Sequence, residues 1–250
     1  MIKSLLRRAR TSMSPMLGLQ ELKLDDIQAQ VALQAVDVGL QPQSSYAMSP
    51  VVILHILNDV LINRRQRILE FGTGISTIYL AKAIKDKGLS SKLFSVDEDA
   101  DWQRMIASEL ADLGCADVVE LVTAPVVRDR VTTWLDATAI DAGILPAAGP
   151  FDCLIVDGPS TGVGHAAIRR NVADYVDDRG CLAPACSIFI DDTYRQAEHE
   201  FAHSWSARLG DVELEDYKTY CVLARGEAHT TRPRVHAHRW RLAQYTALNE

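Results

Sequence analysis

The sequence predicts an α/β fold: a doubly wound, mostly parallel seven-stranded sheet behind an N-terminal helical extension. Three observations predict it. From Arg67 onward, short apolar runs of strand character alternate with helical segments, and parallel neighbours require such crossovers. A glycine turn, Glu70-Phe71-Gly72-Thr73-Gly74, follows the first strand directly, at the edge where an open sheet takes its ligand. Two last strand-like runs, Val212 to Tyr217 and Tyr220 to Ala224, flank Lys218-Thr219 and predict a closing hairpin.

Taken in order, Leu22 to Asn63 reads as helical cover. Ser49-Pro50 supplies an N-cap and a proline at the first helical position. Val51, Leu54, Leu57 and Leu61 then recur at helical spacing, with Ile53, Ile56 and Val60 broadening the stripe. Arg67 to Phe71 is strand one, Ser76 to Lys87 a helix, Lys92 to Val96 strand two, Trp102 to Leu113 a helix and Val118 to Thr123 strand three. The long connection from Pro125 to Pro150 is expected to hold a helix around Val131 to Leu135. Phe151 to Val156 is strand four, His165 to Val176 a helix, Ser187 to Ile190 strand five and Tyr194 to Leu209 a helix.

Composition narrows the class. A chain of 250 residues, 48% hydrophobic, is long enough for one sizeable core and too short for two with a linker. Neither a spanning helix nor a secretory segment is visible, so the cytoplasm is the expected location. The five cysteines form no CxxC pair, and Cys153, Cys186 and Cys221 sit in apolar strand-like runs, which suits buried thiols. A formal charge of −7 argues against a general nucleic-acid binder. Residues 1–20 and 228–249 each carry four basic residues and no acid, leaving an acidic middle. Basic ends suit an anionic partner, a glycan acid or phosphate among them, or simply solvated tails.

The glycine turn is the first candidate site. Glycines there let the backbone turn sharply and approach a ligand, and the following helix offers free N–H groups. Asp97, 23 residues beyond Gly74, lies near the offset at which an acid meets ribose hydroxyls. Thr77 stands where the third glycine of a dinucleotide fingerprint would fall, which weighs against a nicotinamide cofactor.

Glu70-Phe71-Gly72-Thr73-Gly74-Ile75-Ser76-Thr77 resembles motif I of class I S-adenosylmethionine-dependent methyltransferases. The resemblance implies a Rossmann-like methyltransferase fold and an S-adenosylmethionine site built from Glu70, Gly72, Thr73, Gly74, Ser76 and Thr77. Asp97 would hold the ribose, with Glu98 a near competitor. The resemblance spans roughly Ser49 to Ala224, and the expected domain limits are 1–66 for the helical extension and cover, 67–225 for the catalytic domain and 226–250 for a basic tail.

A second group of residues ends strands four and five: Asp157-Gly158-Pro159, then Asp191-Asp192-Thr193-Tyr194-Arg195. Neighbouring strands would bring the three acids to one rim, where a divalent cation, a basic substrate or protonation relieves their repulsion. The alternative is that Asp191, Asp192 and Thr193 cap the next helix. Together with Ser95 to Trp102, these segments resemble the glucuronoxylan O-methyltransferase family, which implies a sugar or glycan hydroxyl as acceptor. They are also similar to catechol O-methyltransferase, which implies that Asp157, Asp191 and Asp192 hold Mg2+ or Mn2+. Ser160 stands where that family has its lysine base, so Asp157 or His165 becomes the candidate base. Arg195 would bind a substrate carboxylate or pair with Asp191 or Asp192, while Arg169 and Arg170 remain further candidates. The expected reaction is O-methylation of a small or glycan acceptor. The rivals are a nicotinamide-dependent oxidoreductase and a non-catalytic nucleotide-binding partner subunit.

Overall fold

The computed structural model describes residues 24–41, 44, 46–128, 133–144, 149–160 and 168–233. A helix over residues 24–33 (α1) and α2 (Pro50–Ile62) lead into β1 (Arg67–Phe71), α3 (Ile75–Asp86), β2 (Lys92–Asp97), α4 (Ala100–Asp112) and β3 (Val119–Thr123). Then come β4 (Val126–Arg128), β5 (Thr133–Leu135), α5 (Ala137–Ile144), β6 (Phe151–Val156), α6 (Asn171–Arg179), β7 (Leu182–Asp191), α7 (Gln196–Leu209), β8 (Val212–Asp216) and β9 (Tyr220–Arg225).

Seven strands form one sheet in the order β3-β2-β1-β6-β7-β9-β8. The first five are parallel, and β9 pairs antiparallel with both β7 and β8. The expected doubly wound sheet and its closing hairpin are both present. In the hairpin turn Lys218 has φ +70, and Asp216 Oδ1 accepts its N–H at 2.7 Å.

Both faces of the sheet are buried, so side chains alternate between two cores rather than between core and water. Ile68, Cys153, Ile155 and Phe189 face the core under α1 to α4. Leu69, Phe71, Leu154 and Ile190 face the core under α5, α6 and α7. Ala29 and Leu33 of α1 and Val52, Ile56 and Val60 of α2 belong to the first core, so the helical cover packs continuously with the sheet. Beneath α2, Arg65 is almost wholly buried and donates from Nε to Asp59 Oδ2 at 2.8 Å and from Nη2 to Ser187 Oγ at 2.7 Å. That pair ties the entry to β1 to strand β7.

Some local expectations shift. The helix expected around Val131 to Leu135 is not there: Thr133–Leu135 is β5, paired antiparallel with β4, as its β-branched and aromatic residues favour. The helix of this connection begins after Asp136, whose Oδ1 accepts Thr138 N at 2.9 Å as an N-cap. Ser49 precedes α2, but its side chain makes no cap hydrogen bond; Asp26 of α1 accepts Val51 N at 3.4 Å. All five cysteines are buried and unpaired. Among the described residues, no helix is long and apolar enough to cross a membrane.

Candidate functional site

A cavity of about 890 Å³ opens where β1, β2, β6 and β7 end, lined by the loops that leave those strands. Parallel strands deliver all their carboxyl ends to one edge, so the turn after β1 and the acids after β2, β6 and β7 meet there.

Gly72 takes φ +104, and a Cβ on it would lie 2.7 Å from Gly158 N. Phe71 O accepts from Asp157 N at 2.9 Å and Gly158 N at 2.5 Å, so the loops after β1 and β6 touch backbone to backbone. Gly74 is different: its φ of −170 is extended backbone, and a Cβ there would meet nothing within 4 Å. Its freedom from a side chain therefore serves the space of the cavity, not the turn.

Glu70 does not line the cavity. It is fully buried beneath the loop and accepts from Ser76 Oγ at 2.6 Å, Thr77 Oγ1 at 2.5 Å and Ser95 Oγ at 2.7 Å. Burial pushes its carboxyl up to about 7, against the opposing pull of those three hydroxyls. Thr77 Oγ1 also accepts Gly74 N at 2.9 Å. Glu70 and Thr77, expected among the cofactor contacts, therefore shape the loop from behind, whereas Gly72, Thr73, Gly74 and Ser76 line the cavity.

At the end of β2, Asp97 Oδ2 accepts Thr73 N at 2.8 Å and Oδ1 accepts Asp99 N at 2.9 Å. Each oxygen keeps a lone pair for a ligand, and the carboxylate lines the cavity. Burial raises its pKa to about 6. Glu98 lines the cavity as well, and its Oε1 accepts Ser160 N at 2.9 Å, latching the loop after β6. Asp99 caps α4 through Asp101 N and Trp102 N. That cap delivers two residues the sequence reading missed. Trp102 Nε1 donates to Thr73 O at 2.6 Å and its ring lines the cavity, while buried Gln103 donates to Thr73 Oγ1 at 3.1 Å and Val122 O at 3.1 Å.

Asp157, Asp191 and Asp192 do meet at the cavity's other side, with cations already among them. Arg169, 5% exposed, donates from Nη1 to Asp192 Oδ2 at 2.9 Å, and its Nη2 lies 3.5 Å from Asp157 Oδ1. Arg195 reaches the same Asp192 oxygen at 3.0 Å. Burial is the main cause that pushes Asp157 up to about 6, and Arg169 opposes it; Asp191 is driven well above the carboxylate range by burial and by Asp157 and Asp192 beside it. The helix-capping alternative fails, since α7 has Arg195 at its N-cap position and no side-chain cap hydrogen bond.

This arrangement does not fit the expected Mg2+ or Mn2+ shell. Asp192 is engaged by two guanidinium groups, and a divalent ion there would have to displace a buried arginine. Among the described residues the trio of potential metal ligands that does converge, within 4.8 Å, is His199, His203 and Asp216, on α7 and at the end of β8. His165 lies outside the described residues, as do His236 and His238.

A family model described as a methyltransferase domain matches residues 69–193, half of the chain. No curated protein matches the chain. Solved structures with the same fold include an S-adenosylhomocysteine-bound methyltransferase from Podospora anserina, with 13% identity, 86% of this chain and 96% of that chain covered, and a TM-score of 0.55. An O-methyltransferase from Bacillus cereus in complex with S-adenosylhomocysteine has 17% identity, covers 81% of this chain and 90% of that chain, and has a TM-score of 0.54. A methyltransferase from Geobacter sulfurreducens has 19% identity, covers 78% of this chain and 96% of that chain, and has a TM-score of 0.52.

Proposed function

The chain belongs to the methyltransferase-domain family, and we propose that it transfers a methyl group from S-adenosylmethionine to a hydroxyl oxygen of a small acceptor, sugars and glycan units among them. One observation carries the reading above others. A single cavity is lined on one side by Gly72, Gly74 and Asp97, and on the other by Asp157, Asp192 and Arg195. The volume suits a nucleoside-sized ligand with an acceptor beside it.

The residues present fit the adenosyl donor. The open space at Gly74 admits a ligand against the backbone, and the lone pairs left on Asp97 accept from ribose hydroxyls. Bound there, S-adenosylmethionine supplies a methyl carbon activated by a sulfonium. Trp102 adds an apolar wall, and the Glu70 hydrogen bonds keep the loop in its binding shape before any ligand arrives.

A neutral hydroxyl is a weak nucleophile, so the acceptor oxygen must be aligned and relieved of its proton. Asp157 lines the cavity, and its pKa of about 6 leaves it ionised at neutral pH yet basic enough to take that proton. Arg195, with its side chain 39% exposed beside Asp192, offers a contact for an anionic acceptor at the mouth.

The test is incubation with methyl-labelled S-adenosylmethionine and a panel of hydroxylated acceptors: sugars, uronic acids, phenols and hydroxy acids. Label recovered as a methyl ether supports the reading. Label recovered only in carboxyl esters or amines would overturn the hydroxyl assignment.

A further inference from the structure

The geometry points to Arg169 as the resident cation of the acceptor site, a guanidinium standing among Asp157, Asp191 and Asp192 where a divalent ion would otherwise be held. The inference rests on the methyl-transfer reading for its purpose, but its geometry is independent of it. Three carboxylates gathered at one strand edge need positive charge nearby or a proton, because like charges at such range in a buried site are costly. The chain supplies that charge itself. Arg169 is nine-tenths buried and lines the cavity. It is held by Asp192 at 2.9 Å, by Asp157 at 3.5 Å and by the Pro159 carbonyl at 3.4 Å.

A second observation points the same way. Asp192 sits at φ +62, in left-handed backbone that few non-glycine residues adopt. In that conformation its carboxylate oxygen meets both Arg169 and Arg195. Aspartate adopts this region more readily than most residues, and here it places one carboxylate oxygen between the two guanidiniums. A divalent ion taking the Asp192 oxygen would have to displace both guanidiniums and leave buried Arg169 with only its longer contacts to Asp157 and the Pro159 carbonyl, a penalty that its own binding would have to exceed.

Arg169 thereby acts as a positioning residue: it holds Asp157 and Asp192 in fixed orientation and keeps a positive charge beside the acceptor oxygen. Methyl transfer by this chain then needs no metal.

The test uses Mn2+ itself as probe, with binding read by electron paramagnetic resonance on the full chain. Wild type should bind no Mn2+ at this site. Arg169→Gln, which removes the buried cation and leaves only Arg195 on Asp192, should bind Mn2+ at least about tenfold more tightly than the weakest affinity the titration detects, a limit wild type does not reach. Arg169→Lys, which keeps a charge, should resemble wild type. With any acceptor found in the panel, wild-type turnover should survive excess chelator, and Arg169→Gln should lower kcat roughly a hundredfold with Arg169→Lys recovering part of the loss. Stoichiometric Mn2+ binding by wild type that Asp157→Asn abolishes would overturn the inference whether or not the variants fold. Unchanged Mn2+ affinity in a folded Arg169→Gln would overturn it too. An absence of any methyl transfer would instead count against the proposed function and leave the Mn2+ result to judge Arg169.

Discussion

Gly72→Ala isolates what the turn after β1 demands. At φ +104 an L-residue carries strain of about 1–2 kcal/mol. Its Cβ would sit 2.7 Å from Gly158 N and 3.1 Å from the Asp157 carbonyl carbon, and both neighbours are backbone with little room to yield. Forcing such contacts apart costs a further 1–3 kcal/mol or so. The sum, about 2–5 kcal/mol, should lower the melting temperature by roughly 10 °C in a chain of this size. Gly74→Ala is the control, since its backbone is extended and its Cβ meets nothing within 4 Å. It should stay within about 0.5 kcal/mol of wild type while weakening S-adenosylhomocysteine binding, because the added methyl projects into the cavity. Scanning calorimetry of both variants with urea melts decides the matter. A Gly72→Ala protein melting with wild type, or a Gly74→Ala protein losing several kcal/mol, would refute this division of labour.

Three further outcomes are expected. Asp97→Ala should weaken S-adenosylhomocysteine binding by about 1–3 kcal/mol through lost charge-assisted hydrogen bonds, measured by calorimetry; unchanged affinity would take Asp97 out of the site. Arg65→Met should cost about 3–5 kcal/mol in urea denaturation, because it leaves Asp59 buried without its cation, and a loss under 1 kcal/mol would contradict that account. Glu70 titrates near 4.5 when unfolded and about 7 when folded, so the folded chain holds its proton through that window. Its contribution is full below pH 4.5 and declines as the pH rises to 7, so stability relative to Glu70→Gln should fall by on the order of 3 kcal/mol across that range; parallel pH profiles would show the carboxyl is not shifted.

The fold was legible because its strongest signals are local and periodic. Buried strands such as Cys153-Leu154-Ile155-Val156 read as continuous apolar runs, and the glycine turn and strand-end acids follow them at once. In the Pro125 to Pro150 connection, β4 and β5 are three residues each, too short to show a period of two, and it is their pairing with each other that defines them. In the site, sequence position identified which residues reach the sheet edge but not which way they face. Glu70 and Gly72 are two residues apart, yet one is sealed beneath the loop and the other touches Gly158. Arg169 is no more conspicuous in the sequence than Arg170, because its partners, Asp157 and Asp192, lie 12 and 23 residues away and only the packed sheet edge brings them together. Gln103 carries no sequence signal at all, since its hydrogen bonds go to loop and strand ends that no spacing rule connects to it.

The central claim, an adenosyl-donor site at the carboxyl edge of the sheet, is tested most directly by calorimetric titration of the full chain with S-adenosylhomocysteine and, separately, with NAD. The account predicts saturable binding of one S-adenosylhomocysteine per chain and no comparable heat from NAD. Absence of S-adenosylhomocysteine binding, or equal affinity for NAD, would contradict it.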